Sequence, residues 1–443
     1  MRRLFTNATI LTMTEGDSAL FDASMVVKND IIEYVGAAPP ENDSFDEVVS
    51  LDGKAMLPGF VNTHGHAAMS LLRGYGDDLP LKTWLEEKMW PIEARFGPEQ
   101  VRWGTALSVL EMIKAGTTCF EDMYGHMDQV AEVVSEAGIR ASLCQGVIGL
   151  CSEEEQKRKW KDAVRFVQDW DGKADGRITT MMAPHAPYTC PPGYIGKFVE
   201  SAAELGVPIH THMSETKTEV ELNVEQYGVR PVEYLRRLGV FDLRALVAHA
   251  VHLTDEEIET LARYDVKVSH NPGSNLKLGS GIAPIPQMME AGIRIGIGTD
   301  GAASNNNLDI LEEIRLAALI HKGTAEDPLA VPALSALRMG TVQGAEALFL
   351  EDIIGTLEPG KKADFITIDL TGPHMQPPHN IVSHIVYAAS RNDVQDVYVD
   401  GHALMRDREC LTLDEEEIIN RSLRAFQAIT SKHFDEVNGV EFS

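Results

Sequence analysis

The chain has 443 residues, 44% apolar and 24% charged, an ordinary balance for a globular protein with room for one large unit and a smaller one. Its 67 acidic and 39 basic residues give a formal net charge of −28, which disfavours a nucleic-acid backbone or an anionic membrane as partner. The five cysteines, Cys119, Cys144, Cys151, Cys190 and Cys410, form no CxxC and are unevenly spaced, so the expected setting is a reducing cytoplasm without disulfides. Polar residues interrupt the opening MRRLFTNATILTM, so no signal peptide is expected, and no apolar run approaches the ~20 residues of a membrane span.

The first fifty residues read as short β-type runs: Leu4 to Leu11, Ser24 to Lys28, Ile31 to Val35 and Glu47 to Leu51. The same style returns late, at Asp364 to Asp369 and Val394 to Val399. These two ends predict one composite β-sandwich over 1–57 and 355–420, with a helical tail over 421–443. The middle, 58–354, alternates strand-like and helix-like segments. Its candidate strands are Met56 to Asn62, Thr117 to Phe120, Arg140 to Val147, Ile178 to Ala183, Val207 to His212, Ala245 to His249, Val266 to His270 and Ile293 to Asp300. Helical patterns between them include Val101 to Ala115, Asp128 to Ala137, Lys157 to Trp170, Gly193 to Leu205 and Asp255 to Tyr264. Thr254 before Asp255-Glu256-Glu257 reads as an N-cap, and Gly138, Gly206 and Gly292 stand where helices should stop. Eight strands with intervening helices predict an α/β fold, a (β/α)8 TIM-like barrel.

Several of these strands end in metal-type residues. They are His64-Gly65-His66, His212 with Glu215 three residues on, His249, and Asp300 in Gly298-Thr299-Asp300-Gly301. A lone HxH is weak, and any one histidine is as readily a hydrogen-bonded core residue. Placement raises the odds. Residues i and i+2 on a strand share a face, so His64 and His66 should enter one lumen, and in a parallel barrel all such strand ends meet at one rim. Three imidazoles and a carboxylate from this set can hold one divalent ion, with a glutamate and a further histidine nearby to move protons. His210 shares the parity of His212 but lies one layer deeper and reads as support. His252 and His270 are possible distractors, although His270 could line the pocket. A two-metal site usually needs an added bridging ligand such as a modified lysine, and Ile178 to Pro184 contains no lysine.

The run Pro58-Gly59-Phe60-Val61-Asn62-Thr63-His64-Gly65-His66 resembles the first-strand motif of the amidohydrolase superfamily. So do HMSE at 212–215, HAVHL at 249–253, GTDG at 298–301 and the run Gly355 to Asp364 that returns to the sheet, and the resemblance spans nearly the whole chain. Within the superfamily, Met89-Trp90-Pro91-Ile92-Glu93, Ala183-Pro184-His185-Ala186-Pro187-Tyr188, Ser269 to Gly279 and Gly298 to Asp309 are most similar to the 5-methylthioadenosine/S-adenosylhomocysteine deaminase group.

The resemblance implies His64, His66, His212 and Asp300 as ligands of one divalent ion per subunit, Zn²⁺ first, with Fe²⁺ or Mn²⁺ suited to the same donors. It implies Glu215 as proton donor to the purine ring and His249 as the residue orienting the attacking water, whose proton Asp300 accepts. Glu93 and His185 match ribose-contacting positions, and Trp84 matches an aromatic lining residue. It also implies a small-molecule nucleoside substrate and an assembly of identical subunits. One departure stands out: where some members carry an arginine that contacts the distal end of the substrate, this chain has Gln145. That leaves open which of adenosine, methylthioadenosine and S-adenosylhomocysteine is preferred.

The expected reaction is hydrolytic replacement of the 6-amino group, giving an inosine-type product and ammonia. The alternatives are deamination or dechlorination of another N-heterocycle, guanine or an s-triazine, and a barrel serving only as a scaffold. The scaffold predicts eroded ligands, yet every expected position is filled.

Overall fold

The computed structural model describes residues 1–16, 19–38 and 44–430. Eight parallel strands close into a barrel. In chain order they are Phe60–Asn62, Thr117–Tyr124, Arg140–Val147, Ile178–Pro184, Ile209–Met213, Ala245–His249, Lys267–His270 and Ile295–Ile297. All eight fall where the apolar runs predict them. The central strands Ile209–Met213 and Ala245–His249 are buried at every residue, because helices cover one face and the lumen packs the other.

The helices start and stop on local chemistry. The Ser152 and Thr254 side chains accept from the backbone N–H groups of Glu155 and Glu257, and the Glu257 carboxylate accepts in return from Thr254 N–H. Gly138 and Gly206 end their helices in the left-handed region. No helix among the described residues is long and apolar enough to cross a membrane.

The sandwich expected from the two chain ends is built as a mixed sheet of nine hydrogen-bonded strands. Arg2–Ile10 and Lys54–Pro58 lie mid-sheet, and Phe365–Asp369 from the far end of the sequence pairs antiparallel with Lys54–Pro58. This sheet has its own core, where Phe5, Phe365 and Tyr398 pack ring against ring. The C-terminal helix runs Glu415–Thr430, so it begins before the expected tail, and 431–443 lie outside the described residues.

The single run expected from Met56 to Asn62 is in fact two strands. Lys54–Pro58 belongs to the sheet, Phe60–Asn62 to the barrel, and Gly59 is the crossing point. A side chain at Gly59 would overlap that of Thr118, so only glycine lets the chain pass there.

A buried ion network binds the two units where the chain crosses. Arg140, at the start of the third barrel strand, places Nε 2.8 Å and Nη2 3.2 Å from the two oxygens of Asp364, and Nη2 2.6 Å from Asp400. All three side chains are nearly inaccessible to water. Removing one member of such a network strands the opposite charge in a dry place. Arg140→Met should therefore destabilise the protein by about 3–5 kcal/mol, read as a lower urea midpoint; an unchanged midpoint would show that the network holds nothing.

Candidate active site

The barrel closes between its last and first strands, and the site is built on that seam. Ile297 pairs with Asn62, Thr63 N–H donates to Ile297 O at 2.9 Å, and Asp300 N–H donates to His64 O at 3.0 Å. The Asn62 amide clamps the seam from the side, donating to Thr299 Oγ1 at 2.8 Å and accepting from Thr299 N–H at 3.0 Å. These bonds set the His64 loop beside Asp300.

His64 and His66 enter the lumen together, their ring centres 4.9 Å apart, with the ring of His212 4.8 Å from His64 and stacked 5.5 Å from His66. One ligand atom from each of these three residues lies within 4.8 Å of the others. The Asp300 Oδ1 atom stands 3.3 Å from His66 Nε2 and 3.7 Å from His64 Nε2.

The nitrogens turned away from the site are occupied. His66 Nδ1 lies 2.6 Å from Met123 O and His212 Nδ1 2.8 Å from His185 O. A carbonyl oxygen only accepts, so both Nδ1 atoms carry a hydrogen and both Nε2 atoms are left for the site. Nε2 of His64 is buried with no hydrogen-bond partner. Burial, reinforced by the neighbouring imidazoles, holds His64 and His212 well below the ordinary histidine pKa, so they are neutral. Three imidazoles and an adjacent carboxylate form the donor set that Zn²⁺-like ions take, and an unpartnered buried nitrogen is what such a cluster has before an ion satisfies it.

Asp300 is held in place from both sides. Oδ1 accepts from Gly301 N–H at 2.7 Å and Oδ2 from the Ser274 hydroxyl at 2.6 Å. Burial works to raise its pKa, but His66, His249 and these donors hold it below the ordinary range. His249 donates from Nδ1 to Asn275 Oδ1 at 2.8 Å, and its ring stacks 5.5 Å from that of His212. Its Nε2 lies 3.8 Å from Glu215 Oε2. His249 and Asp300 both sit at positive φ, +73° and +60°, which non-glycine residues seldom adopt unless their surroundings demand it.

Glu215 is buried, and burial raises its carboxyl pKa. Its turn is held by Glu219 on the next helix, whose oxygens accept from Ser214 N–H at 2.8 Å and Glu215 N–H at 2.7 Å. The Ser280 hydroxyl donates to Glu215 Oε1 at 3.3 Å.

His66, His212, Glu215, His249 and Asp300 open on a cavity of about 880 Å³, while His64 lies fully buried. Trp84, Glu93, Gln145 and His185 line the same cavity. Its volume is within the range of sites for small organic ligands. Trp84 Nε1 is buried without a partner. Burial drives His185 down to about 3, and its Nδ1 lies 2.9 Å from the Thr189 hydroxyl. His252 and His270 are not among the lining residues: His252 Nε2 lies 2.7 Å from Ser280 O, and His270 Nε2 lies 3.3 Å from His321 Nε2.

Sequence reasoning missed Tyr124, whose hydroxyl donates to Glu93 Oε1 at 2.5 Å, and the braces Glu219, Ser274, Asn275 and Ser280. Tyr124 closes the second barrel strand, so its place on the rim was a usable signal. The braces gave none, since a serine, asparagine or glutamate on a helix or in a loop looks the same whatever it supports.

Residues 55–404 match the model of the amidohydrolase family. The chain belongs to that family. It is 52% identical over 396 residues to the 5-methylthioadenosine/S-adenosylhomocysteine deaminase of Moorella thermoacetica, covering 89% of this chain and 92% of the relative. It is 49% identical over 418 residues to the enzyme of that name from Pelotomaculum thermopropionicum, covering 94% and 96%. Among solved structures, an adenosine deaminase from Xanthomonas campestris with bound zinc superposes with a TM-score of 0.91 at 36% identity, covering 97% of this chain and 98% of that one. A family of hydrolases fits a buried imidazole cluster facing a carboxylate and an open cavity.

Glu219 tests how this amidohydrolase site is braced. Glu219→Ala frees two buried N–H donors, at a cost of about 1–3 kcal/mol each. Thermal melting should fall, and turnover should fall with KM less affected. Unchanged melting and turnover would show that the Glu215 turn holds its shape unaided.

Proposed function

We propose that this chain is a metal-dependent hydrolytic deaminase that converts the 6-amino group of 5′-methylthioadenosine and S-adenosylhomocysteine, and with them adenosine, to the inosine-type product and ammonia. The observation that carries this reading is the pairing of a buried imidazole–carboxylate cluster with a separate buried glutamate across one cavity. Near-full-length relatives named for that reaction support it. In this reading His64, His66, His212 and Asp300 hold one divalent ion, Zn²⁺ by likeness to the zinc-bound relative. Bound there, the ion supplies Lewis-acid activation of water at neutral pH.

The remaining chemistry belongs to side chains. Glu215, whose carboxyl pKa is raised by burial, donates a proton to ring N1, so that C6 accepts attack without the ring accumulating negative charge. His249 is fixed through Nδ1 by Asn275 and points Nε2 toward Glu215, a position from which it orients the attacking oxygen. Asp300 takes up the proton that the water releases. The water oxygen bonds to C6, the proton held by Asp300 passes to the exocyclic nitrogen, the C6–N bond breaks, and ammonia departs as the C6 hydroxyl becomes a carbonyl and returns its proton to Glu215. Glu93, oriented by Tyr124, and His185 accept and donate bonds at the ribose hydroxyls, and Trp84 walls the cavity.

The division into a composite sheet domain, 1–57 with 355–420, and a catalytic barrel, 58–354, is part of the same proposal. The change of sheet at Gly59 and the pairing of Lys54–Pro58 with Phe365–Asp369 support it.

An ammonia-release screen over adenosine, methylthioadenosine, S-adenosylhomocysteine, guanine and an aminotriazine should respond to the first three; a response to the last two alone would sink the nucleoside reading. Glu215→Gln should keep the bound metal yet lose about 10²–10⁴-fold in turnover, the usual worth of a positioned proton donor. Turnover within about threefold of wild type, far below that range, removes Glu215 from the acid role.

A further inference from the structure

Two of the three site imidazoles give their Nδ1 hydrogen to a backbone carbonyl, at Met123 and His185. His64 has no such carbonyl. Its Nδ1 lies 3.0 Å from Nε2 of His210, which is also fully buried. His210 Nδ1 in turn lies 3.0 Å from Leu246 O. The carbonyl can only accept, so His210 carries its hydrogen on Nδ1 and presents a lone pair at Nε2. One hydrogen joins two ring nitrogens at that separation, and it therefore sits on His64 Nδ1. That leaves Nε2 of His64 bare, without a partner, and 3.7 Å from Asp300 Oδ1.

Glu121 is the other polar group at this place. Its Oε2 lies 3.4 Å from His64 Nδ1 and 3.5 Å from His210 Nε2, both longer than a good hydrogen bond, while Oε1 accepts from the Cys144 thiol at 3.0 Å. Glu121 thus borders the imidazole pair without displacing either member.

We infer that His210 is a positioning residue: it relays the direction of a backbone hydrogen bond from Leu246 O to His64, committing His64 to the tautomer whose Nε2 faces the metal site. This rests on the metal-site reading above. The opposite arrangement, with a hydrogen on His64 Nε2, would leave the cluster one ligand short. A competing arrangement is also defined by the geometry. His64, Glu121 and His210 each offer a ligand atom within 4.8 Å of the others, so a second cation there would take His64 Nδ1 as a ligand instead of a donor.

The test uses the full-length protein and Zn²⁺ as the probe. In ¹⁵N-histidine spectra of wild type, His64 should show a protonated Nδ1 and an unprotonated Nε2, both before and after one equivalent of Zn²⁺. Competition against a chromophoric chelator should show His210→Leu weakening Zn²⁺ binding by about 10–100-fold, the usual effect of losing a hydrogen-bond partner behind a ligating imidazole. His210→Gln should restore most of it, because the glutamine oxygen reaches the place of Nε2 and accepts in its stead. A protonated His64 Nε2, or His210→Leu binding Zn²⁺ as wild type does, overturns the inference and leaves the deaminase reading standing. Two Zn²⁺ per wild-type chain, with one lost in His210→Leu, overturns it in favour of the second cation site. No Zn²⁺ binding to wild type at all overturns both readings. Should His210→Leu fail to fold, the wild-type spectrum decides alone.

Discussion

The seam between the last and first barrel strands is the constraint on which the site depends. The ladder there is short, and most of the register is carried by Asn62, whose amide both donates to and accepts from Thr299. If the barrel stayed open, His64 and His66 would have no fixed relation to Asp300, which comes from the other end of the barrel sequence. Closure brings the Asp300 carboxylate within 3.7 Å of both histidines and makes one electrostatic site out of two distant motifs. The Arg140–Asp364–Asp400 network does the corresponding work outside the lumen, tying the barrel to the sheet that both chain ends share.

A cluster of buried imidazoles is expensive unless each ring is neutral and each outward nitrogen satisfied. Burial keeps His64 and His212 neutral, and the outward nitrogens are satisfied. The hydrogens on His66, His212 and His249 go to Met123 O, His185 O and Asn275 Oδ1. The opposite ring nitrogens of these residues turn toward the cavity side. Backbone strain is stored in the same place: Ser214, His249 and Asp300 all adopt positive φ at the ends of their strands. The hydrogen-bonded strand ends hold those conformations and fix where these side chains point. Burial pushes both acids up, but their neighbours answer it differently. Glu215 has few compensating donors and rises, whereas Asp300, ringed by imidazoles, a hydroxyl and an N–H, falls. One carboxyl is suited to give a proton and the other to take one.

Much of this was legible along the chain. The eight strands fall on eight apolar runs, because a strand buried on both faces must be apolar nearly throughout. The helix starts at Thr254 and stops at Gly138 and Gly206 follow from residues within a turn of each boundary. The histidines were readable as a group because each closes a strand, and strand ends in a parallel barrel share a rim. The division of Met56 to Asn62 into two strands of two sheets was not readable. An apolar run says only that a segment is buried, and the partner it pairs with is set by residues hundreds of positions away.

Residue type and short-range spacing were enough for the α/β class, the barrel strands, the family resemblance and a set of candidate site residues. The tertiary structure decided which nitrogen of each imidazole faces the site, which carboxyl is braced, and how His210, Glu219, Ser274 and Tyr124 take part. Those features depend on distances of about 3 Å between groups far apart in the chain, and hydrogen-bond direction exists only once donor and acceptor have been brought together.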